Sequence, residues 1–374
     1  MISESIYNIR NKFKKYHGTD TDTELQHNNI NDDFNDITII RDIQYYDGIN
    51  YVKHKHCYDI YYNPDILNTK QHIPIIFSIH GGGYQRGDKS SNWRGSPILG
   101  HVLARHNYIV VAINYRLAPH SKLAILLRSI IFPLILYPIF YQFTHTFYTY
   151  YTKWSILLIL IQYIYFWWYD YSNRALQPYF FDDPVLALKH VIQNIHKYIP
   201  NADVNSIYLH GHSAGAHIAS LLACDTAYCK LAQIDVSCIK AVIGISGIYN
   251  VKSPIGTRFG DIGFYIAYAS SAFGHLRSTY DSISPLTYIT SNTVPHLLIN
   301  AASDMGLEKC ATEMFNKFKQ HNVKVYHYTV PNTTHSTIAS LLHKHQAHKH
   351  IIEFIQEIQT NNKSSIIENS SNIN

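Results

Sequence analysis

The chain has 374 residues, of which 46% are hydrophobic and only 15% charged. That is enough for one large domain or two ordinary ones, with ample apolar material for a core. The formal charge of +5 is spread thinly, without a basic block of the kind that tracks phosphates, so nucleic acid is not an expected partner.

Residues 1–35 are polar and read as a loose arm ahead of a domain over 36–360; they lack an apolar h-region, so no signal peptide is expected. ITIIRDIQYY (37–46) and YVKHKHCYDIYYN (51–63) alternate like half-buried strands, with DGIN between them as a hairpin turn. IPIIFSIH (73–80) and YIVVAINYR (108–116) are short apolar runs that suit strands buried on both faces. After the first of them comes the loop HGGGYQRGD. DDPVLALKHVIQNIHKYI (182–199) has helical spacing, with Asp183 before Pro184 as an N-cap and first-turn pair.

SIYLHG (206–211), IKAVIGISG (239–247), PHLLINAA (295–302) and VKVYHYTV (323–330) are further strands. Helices are expected at GAHIASLLA (215–223), LEKCATEMFNKFKQ (307–320) and, closing the domain, 335–358, with a polar tail over 361–374. Two antiparallel strands followed by alternating strands and helices predict a mostly parallel sheet covered on both faces. Ligands in such sheets bind beyond the carboxyl ends of the strands.

The candidate chemistry falls at those ends. Ser213 sits between a strand and a helix, with Gly211 and Gly215 two residues away on each side, as a strained strand–turn–helix elbow requires. His80, Gly81, Gly82 and Gly83 follow an earlier buried strand. Backbone amides of Gly82 and Gly83, with that of Ala214, suit an oxyanion hole. An acid and then a histidine should follow the nucleophile in the chain. Asp304 and His335 each come just after a strand; Asp281, Glu308 and the mid-strand His327 are weaker choices.

These motifs, together with NYRLAP (114–119) and the SPL at 284–286, resemble the α/β-hydrolases of the hormone-sensitive-lipase-like and carboxylesterase group. NADVNSIYLHGHSAGAHIAS and IGISGIYN most resemble the prenylcysteine-methylesterase and kynurenine-formamidase side of it. His212 departs from lipase-like members, which often carry Asp there. The resemblance implies an α/β-hydrolase fold and a serine hydrolase that cleaves a carboxylic ester through an acyl-enzyme, needing no metal or cofactor. Ser213 would be the nucleophile, His335 the base and Asp304 its orienting acid. An amidase or formamidase with the same triad, or a non-catalytic binding protein on the same fold, are the alternatives.

One segment departs from that pattern. NYRLAP should run within a few residues into the helix near Asp182, but an apolar insert over 121–175 intervenes. LAILLRSIIFPLILYPIFYQF (123–143) carries Arg128, Pro133 and Pro138; WSILLILIQYIYFWWY (154–169) is uncharged but short of the roughly 20 residues that a span needs. Tyr and Trp are dense in it, as in segments at a headgroup boundary. Because strands before and after the insert must join one sheet, a single span is excluded. A two-helix hairpin turning at Lys153 or an interfacial dip is allowed, and a soluble helical cap over the pocket is the alternative. The expectation is a membrane-docking lid near the site, on a membrane-associated protein whose catalytic domain faces the cytosol. The five cysteines (Cys57, Cys224, Cys229, Cys238, Cys310) form no CxxC pair and agree with a reducing compartment. The histidines of HKHQAHKH (343–350) fall on several faces of a helix and are read as a solvated surface rather than a metal site.

Overall fold

Eight strands form one sheet: β1 (Thr38–Gln44), β2 (Cys57–Tyr62), β3 (Ile73–Ile79), β4 (Ile109–Ile113), β5 (Ala202–His212), β6 (Ile239–Ile245), β7 (His296–Ser303) and β8 (Val325–Thr334). This computed structural model describes residues 36–91, 96–141, 145–175, 178–344 and 347–371; the arm expected over 1–35 lies outside them. The spatial order is β1-β2-β4-β3-β5-β6-β7-β8. β2 runs antiparallel to β1 and to β4, and every other pairing is parallel. β3 and β4 are buried at every position, as apolar runs in a sheet covered on both faces must be.

The helices that bear on the site are α1 (Ser96–Arg105), α2 (Lys122–Tyr141), α3 (His145–Asn173), α4 (Tyr179–Asn194), α5 (Ala214–Cys224), α6 (Arg258–Phe264), α7 (Glu308–Gln320) and α8 (Ala347–Ser371). Strand residues alternate between the two faces. Ile75, Phe77 and Ile79 share a core with Val185 and Leu188 of α4 and with Ile218 and Leu222 of α5. Ile76, Val110 and Ile243 meet Leu99 and Leu103 of α1 and Ile351 and Ile355 of α8 on the other side.

Local departures from the sequence reading have physical causes. DGIN is not a tight hairpin turn, because β1 ends at Gln44 and β2 starts only at Cys57. The wider loop is held by its own aromatics: Tyr45 donates to the Asn114 carbonyl (2.9 Å), and Tyr46 and Tyr51 pack on His56. Asp183 is not an N-cap. The helix begins at Tyr179, and the fully buried Asp183 carboxylate instead accepts from the backbone amide, Nε and Nη2 of Arg116. The closing helix is broken. Short turns at Thr337–Ser340 and Leu342–Lys344 precede α8, which continues to Ser371 through most of the stretch expected as a tail. His350 stacks on Tyr328, with ring centroids 4.1 Å apart.

The insert forms two helices lying against each other, α2 and α3. α3 starts at His145, so Lys153 lies inside it and not at the turn. Among the described residues no helix is long and apolar enough to cross a membrane, which leaves the hairpin as a pair of spans without support. Its roots are joined: the Ala175 amide donates to the Leu117 carbonyl (2.9 Å).

Candidate active site

Four loops meet at the carboxyl edge of the sheet, after β3, β5, β7 and β8. Ser213, at the tip of the turn from β5 into α5, has φ 53° and ψ −119°, a conformation that a side chain adopts only under constraint. The two glycines make that turn possible. A Cβ on Gly211 would lie 2.2 Å from the Gly215 carbonyl, and one on Gly215 would lie 2.0 Å from the carbonyl oxygen of Ile79 in β3. The elbow is therefore pressed backbone to backbone against the strand that feeds the glycine loop.

His335 and Asp304 complete a line through the serine. His335 Nε2 is 3.0 Å from Ser213 Oγ, and its Nδ1 is 2.7 Å from Asp304 Oδ1. Asp304 is almost wholly buried, and its other oxygen accepts from Asn300 Nδ2 (2.6 Å) and the Ala301 amide (3.2 Å). Burial opposes its charge, but the bonds from His335 and Asn300 outweigh that and hold the carboxyl below the usual carboxylate range. Of the weaker acids, Glu308 accepts from the Asp304 amide (3.0 Å), and Asp281 pairs with Lys252 on the surface.

The glycine loop abuts the serine: a Cβ on Gly81 would come within 3.2 Å of Ser213 Cβ. Gly82 and Gly83 have φ of 124° and 60°, where glycine is favoured. Ala214 is the first residue of α5, so its N–H has no partner inside the helix. His80 shapes the loop instead of facing the serine. Its Nδ1 donates to the Gly81 carbonyl (2.8 Å), and its ring stacks on Tyr115 at 4.4 Å. Tyr115 in turn donates to the His80 carbonyl (3.0 Å), while Asn114 accepts from the Lys89 amide (2.6 Å). The NYRLAP segment is thus the brace of the glycine loop.

Three contributors were assigned no role from the sequence. Asn300 bridges Asp304 to His327, whose Nε2 is 2.9 Å from Asn300 Oδ1. His212 donates from Nε2 to the His335 carbonyl (2.8 Å), which fixes the backbone of the base. Burial pushes the His212 imidazole down to about 3, so it stays neutral. Tyr268, in a π-helical turn at Tyr265–Ala269, covers Gly83, where a Cβ would fall 2.5 Å from its ring. Only His212 gave a signal, as the residue at which the elbow departs from the lipase-like pattern.

The fold and the Ser–His–Asp line are those of an α/β-hydrolase, here a carboxylic ester hydrolase. A family model described as BD-FAE matches residues 58–128 and 159–318, more than half of the chain, and the chain belongs to that family. The stretch left unmatched between these blocks lies within the insert. Solved structures that share the fold include a truncated form of a carbohydrate esterase from gut microbiota, 16% identical over 86% of this chain and 96% of that one, with TM-score 0.57. Esterase B from Lactobacillus rhamnosis is 14% identical over 90% of each chain, with TM-score 0.62. Carboxyl esterase 2 from the mycorrhizal fungus Tuber melanosporum is 14% identical over 87% of each chain, with TM-score 0.55. No curated protein matches the chain.

Proposed function

We propose that the protein hydrolyses lipid-like carboxylic esters through an acyl-enzyme on Ser213, while resting on a membrane surface that faces the cytosol. The chemistry rests on one observation, the unbroken line Ser213–His335–Asp304. His335 takes the Ser213 proton as Oγ attacks the ester carbonyl, and the buried Asp304 orients and stabilises the imidazolium. The amides of Gly82, Gly83 and Ala214 receive the oxyanion. His335 then protonates the leaving alcohol, and water attacks the acyl-enzyme by the same route.

The location rests on the insert. Ile156, Leu157, Leu160, Ile161 and Ile164 of α3 are all exposed, followed by an exposed aromatic band at Tyr165, Trp167, Trp168 and Tyr169. The first charge comes at Asp170, at the root. Between Ile156 and Asp170 of α3, exposed aliphatic side chains give way to aromatics and then to a charge at the root, in the order met from the core of a bilayer to its headgroups. Trp154 to Tyr169 spans roughly 23 Å of helix, less than a hydrocarbon core of about 30 Å, as suits docking rather than crossing. The cytosolic side is supported by five free cysteines.

The test pairs two measurements. Fluorophosphonate should label the wild type and not Ser213→Ala; folded protein that takes no label is a binding module. p-Nitrophenyl esters of rising chain length, with and without liposomes, should show liposome activation toward long chains. Deleting residues 123–170 should move the protein to the soluble fraction, and unchanged partition removes the membrane from the reading. Turnover of formyl-kynurenine above that of every ester would make it an amidase.

A further inference from the structure

The two roots of the insert end on two successive carbonyls of the glycine loop. The Ala118 amide, just before α2, donates to the Tyr84 carbonyl (2.8 Å). Arg174, just after α3, donates from Nη1 to the Gln85 carbonyl. Asp170 orients that guanidinium, with Arg174 Nε 3.3 Å from its Oδ1, and the same carboxylate holds the His120 amide and Nδ1 (2.9 Å) at the other root. Burial opposes the Asp170 charge, but the His120 and Arg174 contacts keep the carboxyl below its ordinary range.

The Gln85 carbonyl belongs to the same planar peptide as the Arg86 N–H. That N–H donates to the Gly82 carbonyl (3.0 Å), joined there by the Gln85 N–H (3.2 Å). The Gly82 carbonyl belongs in turn to the peptide that carries the Gly83 N–H, which points the opposite way and is the donor assigned to the oxyanion under the proposed function. Two rigid peptide planes thus connect the Arg174 guanidinium to an oxyanion donor. The Gln85 side chain, itself buried, anchors the far side of the turn by donating to the Ala267 carbonyl (2.9 Å) and Ser271 Oγ (2.8 Å), on the segment that covers Gly83.

We propose that Arg174, held by Asp170, is a positioning residue for the oxyanion hole: it fixes the Gly83 amide through the Gln85–Arg86 and Gly82–Gly83 peptides, and so couples the seating of the insert to transition-state stabilisation. The inference rests on the ester-hydrolase reading but needs neither a lipid substrate nor a membrane. Loss of one oxyanion donor costs about 10²–10³ in kcat. A donor that is loosened and not removed should cost about ten- to hundred-fold.

The experiment uses the full chain, p-nitrophenyl butyrate and no vesicles, with active sites titrated by fluorophosphonate and the melting temperature recorded. Arg174→Gln should lower kcat per titrated site about ten- to hundred-fold with KM within about twofold, and should slow phosphonylation of Ser213 by a similar factor, since that step also builds charge on an oxygen in the hole. Asp170→Asn should fall between wild type and Arg174→Gln. Arg174→Lys, which keeps a cation and a donor, should recover part of kcat. A merely structural role would lower the melting temperature and the titrated fraction while leaving kcat per titrated site unchanged, and that result overturns the proposal. Wild-type protein without esterase activity, or activity that survives Ser213→Ala, overturns the ester-hydrolase reading and this inference with it.

Discussion

Asp304→Asn tests the triad most sharply, because the surroundings of the carboxylate dictate how the amide must sit. Oδ2 accepts from Asn300 Nδ2 at 2.6 Å and from the Ala301 amide at 3.2 Å. Asn300 is itself oriented by His327, 2.9 Å from its Oδ1. An amide nitrogen cannot occupy a place that two N–H groups address, so the amide oxygen goes there and the NH₂ takes the Oδ1 position, 2.7 Å from His335 Nδ1. That donor demands an unprotonated Nδ1. The ring proton moves to Nε2, where it faces Ser213 Oγ, and His335 can no longer accept the serine proton. The expected loss is about 10⁴ in kcat, or about 5.5 kcal/mol of transition-state stabilisation. The substitution is nearly isosteric, so the melting temperature should hold. Turnover of a p-nitrophenyl ester with active-site titration reads the first quantity and a thermal melt the second. An Asp304→Asn enzyme that keeps a tenth of wild-type kcat refutes the assigned tautomer, and with it the role given to Asp304.

Gly215→Ala should destabilise the fold by about 1–3 kcal/mol or more and abolish activity, because the new Cβ meets the Ile79 carbonyl oxygen at 2.0 Å and a backbone atom cannot swing aside as a flexible side chain can; a urea midpoint within error of wild type would contradict the close approach. Asp183→Ala leaves the Arg116 guanidinium buried beside a void and should cost about 3–5 kcal/mol in urea unfolding, with a loss below 1 kcal/mol counting against it. Acid should unfold the protein early. Burial holds His210 and His212 down to about 3 and His217 and His296 to about 4. Between those values and the unfolded value near 6.5 the unfolded chain binds more protons, so stability rises with pH across that window, is complete above about 6.5, and falls by up to about 1.4 kcal/mol per pH unit for each histidine as pH drops. The melting temperature should decline from pH 6.5 downward, and a flat profile to pH 5 would show that these rings are not buried neutral.

What was legible in the sequence was set by strong local signals. Runs such as IPIIFSI and IVVAI declare themselves as central strands because they are wholly apolar, rich in β-branched residues and too short for a helix, and Ser213, Asp304 and His335 stood out because each ends a strand. The misreadings occurred where tertiary partners outbid local pattern. Asp183 before Pro184 looks like a helix start, yet its carboxylate is committed to Arg116, distant in sequence. DGIN looks like a hairpin turn, yet Tyr45 turns inward to the Asn114 carbonyl and the loop closes around His56. The supports of the triad left almost no trace. Asn300 and His327 sit inside ordinary strand sequence and matter only because β7 and β8 lie side by side, while Gln85 and Arg174 meet only because the insert closes upon its own roots.

That closure has a consequence for how such a chain changes over generations. Leu117 and Ala175 are hydrogen-bonded neighbours, so whatever lies between them begins and ends at the same point of the body. Lengthening an excursion whose ends already meet adds little loop-closure entropy, about 0.6 kcal/mol per doubling. The hairpin can therefore grow, shrink or be exchanged while the sheet keeps its register, with selection felt mainly through the few root residues that touch the glycine loop. The proposed docking surface and the triad therefore occupy separable stretches of the gene, which meet at the roots of the insert.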